Sequence, residues 1–102
     1  VLFQQGKWVQ SLELYDEAIM KGYTPKHPDE YRIFIQSYAH LGDWEGAISL
    51  TQQVFDRSPD YQYGLCNVWE YFRTSDTFGR EKEPYVTEMM DGLLQCQSIT
   101  NP

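Results

Sequence analysis

The sequence is poor in cysteine, and this shortage excludes a class of small secreted folds. Two cysteines, Cys66 and Cys96, occur among 102 residues. Two are too few for a disulfide scaffold, and their spacing fits no zinc-binding pattern. The sequence alone does not exclude a single disulfide between them, since no geometry is known at this point. We expect instead that both cysteines are reduced and mostly buried.

Basic residues are also scarce. Eight Lys and Arg residues stand against fifteen Asp and Glu residues, which gives a formal net charge of −7. An acidic domain repels phosphate backbones, so we expect no nucleic-acid partner. The chain has no basic amphipathic face for an anionic membrane and no apolar run of membrane-spanning length. The composition therefore predicts neither nucleic acid nor membrane as a partner.

No segment has the composition of a secretory signal peptide, so we expect a cytoplasmic location. This expectation is weakened by the start of the chain, because Val1 falls in what looks like the middle of a helix. The sequence therefore reads as a fragment of a longer protein, and the absence of a targeting signal says little about that protein.

Sequence signatures of catalysis are missing as well. There is no glycine-rich phosphate loop and no nucleophile motif. His27 and His40 have no second ligand at helical spacing, and the adjacent acids Asp16 and Glu17 point apart on a helix. We expect no enzyme activity, no cofactor and no metal site.

Aromatic residues are abundant and repeat at helical spacing. They make up 16% of the chain and include eight tyrosines. Apolar residues recur every three or four positions, and no stretch alternates as a strand would. The periodicity predicts helices over roughly 9–21, 29–41, 45–57 and 61–74, and from 83 onward. We expect one domain over 1–97, with a frayed tail over 98–102.

The chain contains an internal similarity. Gly6-Lys7-Trp8 and Gly42-Asp43-Trp44 lie 36 residues apart. In the residues that follow, small side chains stand opposite small ones and aliphatic side chains opposite aliphatic ones. The similarity predicts that each copy has a Gly-X-Trp turn followed by a helix of about four turns.

One stretch carries a family resemblance, through Tyr31, Phe34, Tyr38, Gly42-Asp43-Trp44, Ala47 and Pro59. It resembles a complete tetratricopeptide repeat, a helical hairpin of about 34 residues. Residues 1–24 resemble the end of a preceding repeat, and 61–96 resemble a third repeat with a longer loop. Ile35 and Thr51 depart from the family pattern, since a small residue and an aromatic residue are usual there. The resemblance implies an all-α fold of stacked antiparallel hairpins in a right-handed superhelix, with about 2.5 repeats plus a final helix.

The resemblance also implies a binding surface, because the first helix of each repeat lines the concave face of such a superhelix. The lining positions are Arg32, Gln36, His40, Tyr63, Asn67, Glu70 and Arg73. Asn67 resembles the lining asparagine whose amide can clamp a ligand's backbone with one donor and one acceptor. The alternative is that it bonds only its own scaffold or water. Arg32 can equally be a solvated arginine, and His40 a surface residue or a partner of the helix dipole.

Three functions remain open from the sequence. In the first, the chain is an interaction module that binds an extended or proline-containing peptide, because tyrosine rings stack on proline. In the second, it is a structural repeat that docks on further repeats or another subunit, or self-associates through exposed repeat ends. In the third, it is the substrate-docking domain of a larger enzyme, since Pro59-Asp60-Tyr61-Gln62 with Asn67 faintly resembles the peptide-binding domain of collagen prolyl 4-hydroxylase.

One family specialisation is not expected. Tetratricopeptide domains that grip the C-terminal carboxylate of chaperones use paired basic residues, and Tyr63 and Asn67 stand at those positions here. Side chains of Arg32, Tyr63 and Asn67 converging on an open groove would favour the peptide-binding module. A groove filled by the chain's own last helix would favour the structural repeat.

Overall fold

The computed structural model describes residues 2–23 and 27–96, with side chains described from residue 7 onward. Within these ranges every regular element is helical, which confirms the all-α prediction. The α-helices are α1 (Leu2–Met20), α2 (Arg32–His40), α3 (Trp44–Arg57), α4 (Gln62–Thr74) and α5 (Glu83–Thr87). Four 3-10 turns lie at Pro28–Tyr31, Pro59–Tyr61, Asp76–Phe78 and Arg80–Lys82, and a π-helical segment at Glu88–Leu93.

The first helix ends as predicted but does not begin as predicted. At its end the Gly22 N–H donates to the Ile19 carbonyl at 3.0 Å, and the Tyr23 N–H donates to the Ala18 carbonyl at 2.9 Å. This pair of bonds is a Schellman motif, which stops the helix before the proline-containing link. Part of that link, including Pro25, lies outside the described residues.

The predicted turn at Gly6 is wrong, because Gly6 lies inside α1. At the matching position of the second copy, the Asp43 carboxylate accepts a hydrogen bond from the Gly46 N–H at 2.9 Å and begins α3. Lys7 occupies the place of Asp43 and has no acceptor with which to cap a helix. An isolated glycine is tolerated within a helix at a cost of about 1 kcal/mol. Gly6 and Gly42 therefore have different surroundings, and the internal similarity does not mark two equal turns.

Helices α2 and α3 are joined by a short turn and pack against each other as a helical hairpin. Gly42 joins them with φ 78°, in the left-handed region that favours glycine. The Asp43 N–H donates to the Tyr38 carbonyl at 2.9 Å and completes a second Schellman motif. A Cβ added to Gly46 would lie 2.5 Å from the Tyr38 ring, so a small residue is needed where the two helices meet.

The core lies among α2, α3, α4 and the C-terminal segment, which we define as residues 83–96. An aromatic cluster centres on Trp44, whose ring centroid lies between 5.6 and 6.0 Å from four others. These belong to Trp69, Phe72, Phe78 and Tyr85. Edge-to-face and offset contacts of this kind add stabilisation beyond the apolar area that they bury.

Thr51 connects α3 to α4 through a buried hydrogen bond. Its side chain is fully buried, and its hydroxyl accepts from the Trp69 indole N–H at 3.1 Å while donating to the Ala47 carbonyl at 2.8 Å. A buried indole N–H needs such a partner. Thr51 thus provides the acceptor that the buried Trp69 indole N–H requires.

The connection between α4 and α5 is more ordered than the loop that the sequence predicts. Two 3-10 turns flank Gly79, which adopts φ 66° and ψ −162°, a conformation that is essentially restricted to glycine. Phe78 enters the aromatic cluster, and the Lys82 ammonium donates to the Ser75 carbonyl at 2.6 Å. Helix α5 then begins at Glu83, in agreement with the predicted helix start near Glu83-Pro84.

The C-terminal segment ends in an irregular turn and a disulfide. After the π-helical segment, the Leu94 N–H donates to the Met89 carbonyl at 2.8 Å, and Gln95 adopts φ 49°. Cys96 is then bonded to Cys66 of α4. The expectation of reduced thiols was wrong, although both residues are buried as expected. The predicted frayed tail over 98–102 lies outside the described residues.

Candidate functional site

A cleft of about 510 Å³ lies between α4 and the C-terminal segment. Its volume falls within the range of roughly 300–1,000 Å³ that is typical of ligand sites. Among the described residues it is lined by Tyr63, Cys66, Asn67, Glu70, Arg73, Val86, Thr87, Met90, Asp91 and Cys96. Four of the seven residues predicted to bind a ligand are in this set, and all four belong to α4.

The α4 wall is polar and accessible. Tyr63, Asn67, Glu70 and Arg73 follow each other at steps of three and four residues, which places them along one face of the helix. Tyr63 is 62% exposed. Asn67 is exposed, and its side-chain amide makes no hydrogen bond to another described residue. The donor and acceptor of this amide are thus available to a bound molecule.

An ion pair lies along this wall. The Arg73 Nε donates to a Glu70 carboxylate oxygen at 2.8 Å, and a terminal nitrogen of Arg73 donates to the other oxygen. The bidentate hydrogen bond to Glu70, together with the charges of Glu70 and Asp91, raises the pKa of the Arg73 guanidinium. Because both side chains are largely exposed, solvent screens the pair and its contribution to stability is small.

The opposite wall combines apolar and polar groups that sequence reasoning did not assign to a site. Val86 is buried and Met90 is half-buried, whereas Thr87 and Asp91 are exposed. Met89 lies in the core with 1% exposure, whereas its neighbour Met90 lines the cleft. The only sequence signal for this wall was the pair of cysteines, which can join two segments distant in sequence.

Two links hold the cleft walls together at one end. The Cys66–Cys96 disulfide joins residues 30 positions apart with a Cα–Cα distance of 5.7 Å. Next to it, the Gln62 side-chain amide of α4 donates to the Leu94 carbonyl. The C-terminal segment is therefore attached to α4 beside the predicted binding residues and borders the cleft without filling it.

The three predicted binding residues of α2 lie elsewhere. Gln36 is half-buried and Arg32 is exposed on α2. Arg32 is near Tyr61, whose hydroxyl donates to the Asp29 carboxylate. Burial and this hydrogen bond raise the pKa of Tyr61 to about 12, while Arg32 acts in the opposite direction. None of the three α2 residues lines the cleft that holds the α4 residues.

His40 is a packed residue rather than the free surface residue that the sequence favours. Its ring stacks on Trp8 of α1, with centroids 4.2 Å apart and planes inclined by 2°. Phe78 lies 4.8 Å from it on another side. Burial by these rings lowers the pKa of His40, because the charged imidazolium is poorly solvated there. His40 therefore connects α1 to the α4–α5 connection.

None of the helices in residues 2–23 and 27–96 has the length and apolar character that crossing a bilayer requires. No group of three or more His, Cys, Asp or Glu side chains between residues 2 and 23 or 27 and 96 is arranged to hold a metal ion.

Comparisons of this chain with protein-family models, with curated proteins and with solved structures gave no match.

Proposed function

We propose that this chain is a protein-interaction module that binds an extended peptide segment of a partner in the cleft between α4 and the C-terminal segment. The observation that carries the proposal is the presence of Tyr63, Asn67, Glu70 and Arg73 along one wall of a cleft of about 510 Å³. The proposed site differs from the groove that the family resemblance implies, since its second wall is residues 83–96 instead of α2.

The cleft chemistry supports an extended peptide. A peptide without secondary structure presents one N–H and one C=O per residue, and these suit the free donor and acceptor of the Asn67 amide. The exposed Tyr63 ring offers a flat apolar face of the kind that proline rings stack on. Membership of the tetratricopeptide family remains part of the proposal, and the α2–α3 hairpin with its Gly42 turn supports it.

A peptide-array screen tests the proposal. Arrays of ten-residue peptides, proline-containing and proline-free, are probed with the oxidised protein and with Asn67→Ala. We expect a set of peptides that bind the wild type and lose at least about fivefold in affinity with Asn67→Ala, because one backbone clamp contributes about 1 kcal/mol.

The matched control is Gln53→Ala, which removes an exposed amide from α3 on a helix that does not line the cleft. It should leave binding unchanged. If no peptide binds, or if Asn67→Ala and Gln53→Ala behave alike, the cleft is not the binding site.

We also propose that the protein works in an oxidising compartment. The disulfide attaches the second wall of the cleft to the first. Structural disulfides persist outside the reducing cytosol, so this observation favours such a compartment over the cytoplasmic location expected from the sequence. Thiol trapping of the protein in its native cells, before lysis, distinguishes a disulfide from two thiols.

A second candidate function, the structural repeat that docks on another chain or repeat, is favoured by α1. None of the described side chains of this helix is buried, and several of its apolar residues are open to solvent. These are Val9, Leu14, Ile19 and Met20, the last 88% exposed. Scattered apolar residues are ordinary on a surface, whereas a helix with no buried side chain from residue 7 to residue 20 suggests a missing neighbour.

Analytical ultracentrifugation separates the two functions. Leu14→Glu with Met20→Lys should convert an assembled protein to a monomer if α1 is a docking face. A wild-type protein that is monomeric at high micromolar concentration would exclude self-association through α1 and leave the cleft as the better-supported site.

A further inference from the structure

Acidic side chains outnumber basic ones in the cleft, and this imbalance determines which charge on a ligand is favoured. Two carboxylates, Glu70 and Asp91, and one guanidinium, Arg73, lie along its walls. The surrounding chain has the same sign, because residues 60–96 contain seven acidic and three basic side chains. The cleft therefore lies in a region of negative potential, which attracts cations and repels anions at low ionic strength.

The single cation of the cleft is already engaged. One edge of the guanidinium is used on Glu70, since the Arg73 Nε and one terminal nitrogen donate to the two carboxylate oxygens of that residue. An anionic ligand that approaches the remaining N–H donors of Arg73 lies beside the Glu70 carboxylate, whose charge repels it. A cationic ligand meets a different situation, because Asp91 on the opposite wall forms no ion pair within 4.0 Å with any described residue.

We propose that the cleft is selective for a peptide that presents a basic side chain next to an apolar one. This inference rests on the proposed function and names its ligand class. The basic group pairs with Asp91, and the apolar neighbour contacts Met90 and the ring of Tyr63, which line the same cleft. The peptide backbone crosses α4 at Asn67. Glu70 adds to the negative charge of the cleft. Arg73 partly neutralises that charge and so weakens the attraction for a basic side chain.

Fluorescence anisotropy with three labelled probes tests the inference. Each probe is a capped, proline-rich nonapeptide, identical except for a central Leu-Arg, Leu-Gln or Leu-Glu pair. We expect the arginine probe to bind about fivefold more tightly than the glutamine probe, the effect of one exposed ion pair, and the glutamate probe to bind most weakly. Raising the salt concentration should reduce the difference between the probes.

Three variants locate the effect. Asp91→Asn should remove the preference for the arginine probe, and Arg73→Gln should strengthen that preference by freeing Glu70. Glu88→Gln is the matched control, since it removes an exposed acid from the π-helical segment without touching the cleft lining. It should leave the ranking of the probes unchanged. Circular dichroism of each variant verifies that it is folded.

The outcomes separate this inference from the proposed function. Equal affinity for the three probes, with binding still dependent on Asn67, removes the charge selectivity and keeps the peptide site. Preferential binding of the glutamate probe, or absence of binding by all three while the array yields other peptides, also overturns the inference. If butylguanidinium alone competes as strongly as the arginine probe, the ligand is a small cation and not a peptide.

Discussion

The two helical hairpins of the molecule, α2–α3 and α4 with the C-terminal segment, are closed in different ways. The first is closed by a three-residue turn with Gly42 at its centre, and its helices approach so closely that Gly46 has no room for a Cβ against Tyr38. The second is connected through two 3-10 turns and is held by a disulfide at its far end. The cleft is found in the second hairpin.

Two helix pairs of the same kind can therefore differ in whether they pack closely or leave a cleft between them. Where a short turn and small residues let two helices meet, the interface fills with side chains and leaves no space for a ligand. Where the connection is long, the helices separate, and a covalent link replaces part of the missing packing.

Removal of the disulfide should affect the second hairpin most. The double variant Cys66→Ser with Cys96→Ser loses a link between residues 30 positions apart, so its free energy of unfolding should fall by about 3 kcal/mol. Urea denaturation without reductant measures the loss. Hydrogen exchange should show that amides of the C-terminal segment open more readily while those of α2 and α3 keep their relative protection. An equal loss of protection in both hairpins would contradict the contrast.

A buried hydrogen bond between Thr51 and Trp69 joins the two hairpins, beside the aromatic cluster around Trp44. Thr51→Val keeps the shape of the side chain but leaves the Trp69 indole N–H without its acceptor, so stability should fall by about 2 kcal/mol. Thr74→Val is the matched control, because Thr74 donates to a helix carbonyl in the same manner but is exposed. Its effect should stay within about 0.5 kcal/mol. Similar losses in the two variants would mean that the Trp69 bond is unimportant.

The two connecting glycines should differ in their tolerance of a side chain. Gly42→Ala places alanine in the left-handed region, at a cost of about 1 kcal/mol. Gly79→Ala should cost about 1 kcal/mol more, because ψ −162° at this φ is closed to residues with a Cβ. Thermal unfolding of both variants measures the difference. A smaller loss for Gly79→Ala would show that the long connection adapts easily.

The smallest effect concerns His40, which joins α1 to the connection of the second hairpin. Burial lowers its pKa from the ordinary 6.5. The unfolded chain therefore binds a proton before the folded protein does, and stability should decrease as pH falls below 6.5. His40→Phe keeps the stacking on Trp8 and should remove this part of the pH dependence, whereas His27→Gln, at an exposed site, should not. A pH profile unchanged by His40→Phe would show that the folded imidazole titrates normally.

Much of the fold could be predicted from local sequence. The helices α2, α3 and α4 follow from apolar residues at helical spacing, and their ends follow from residues with a definite local effect, such as Gly42 and Asp43. The π-helical segment could not be predicted, since Glu88–Leu93 has an ordinary helical composition. This segment contacts α4, and no local pattern encodes that contact.

One wall of the candidate cleft, the α4 wall, could be predicted from the sequence, and the other could not. Spacing along α4 was sufficient to group Tyr63, Asn67, Glu70 and Arg73 on one face, because helix geometry alone determines that grouping. The second wall was assigned to α2 by resemblance, and the structure provides it from residues 83–96. The length of the connections and the packing of the core determine which helices face each other. The periodicity of a single helix carries no information on either.

Composition and the spacing of apolar residues along the chain are enough to establish that it is helical, acidic and rich in aromatic side chains. The pairing of Cys66 with Cys96 and the packing of His40 against Trp8 were set by the packing of the helices. Each of these depends on residues far apart in sequence, whose distances are set only when the helices pack together.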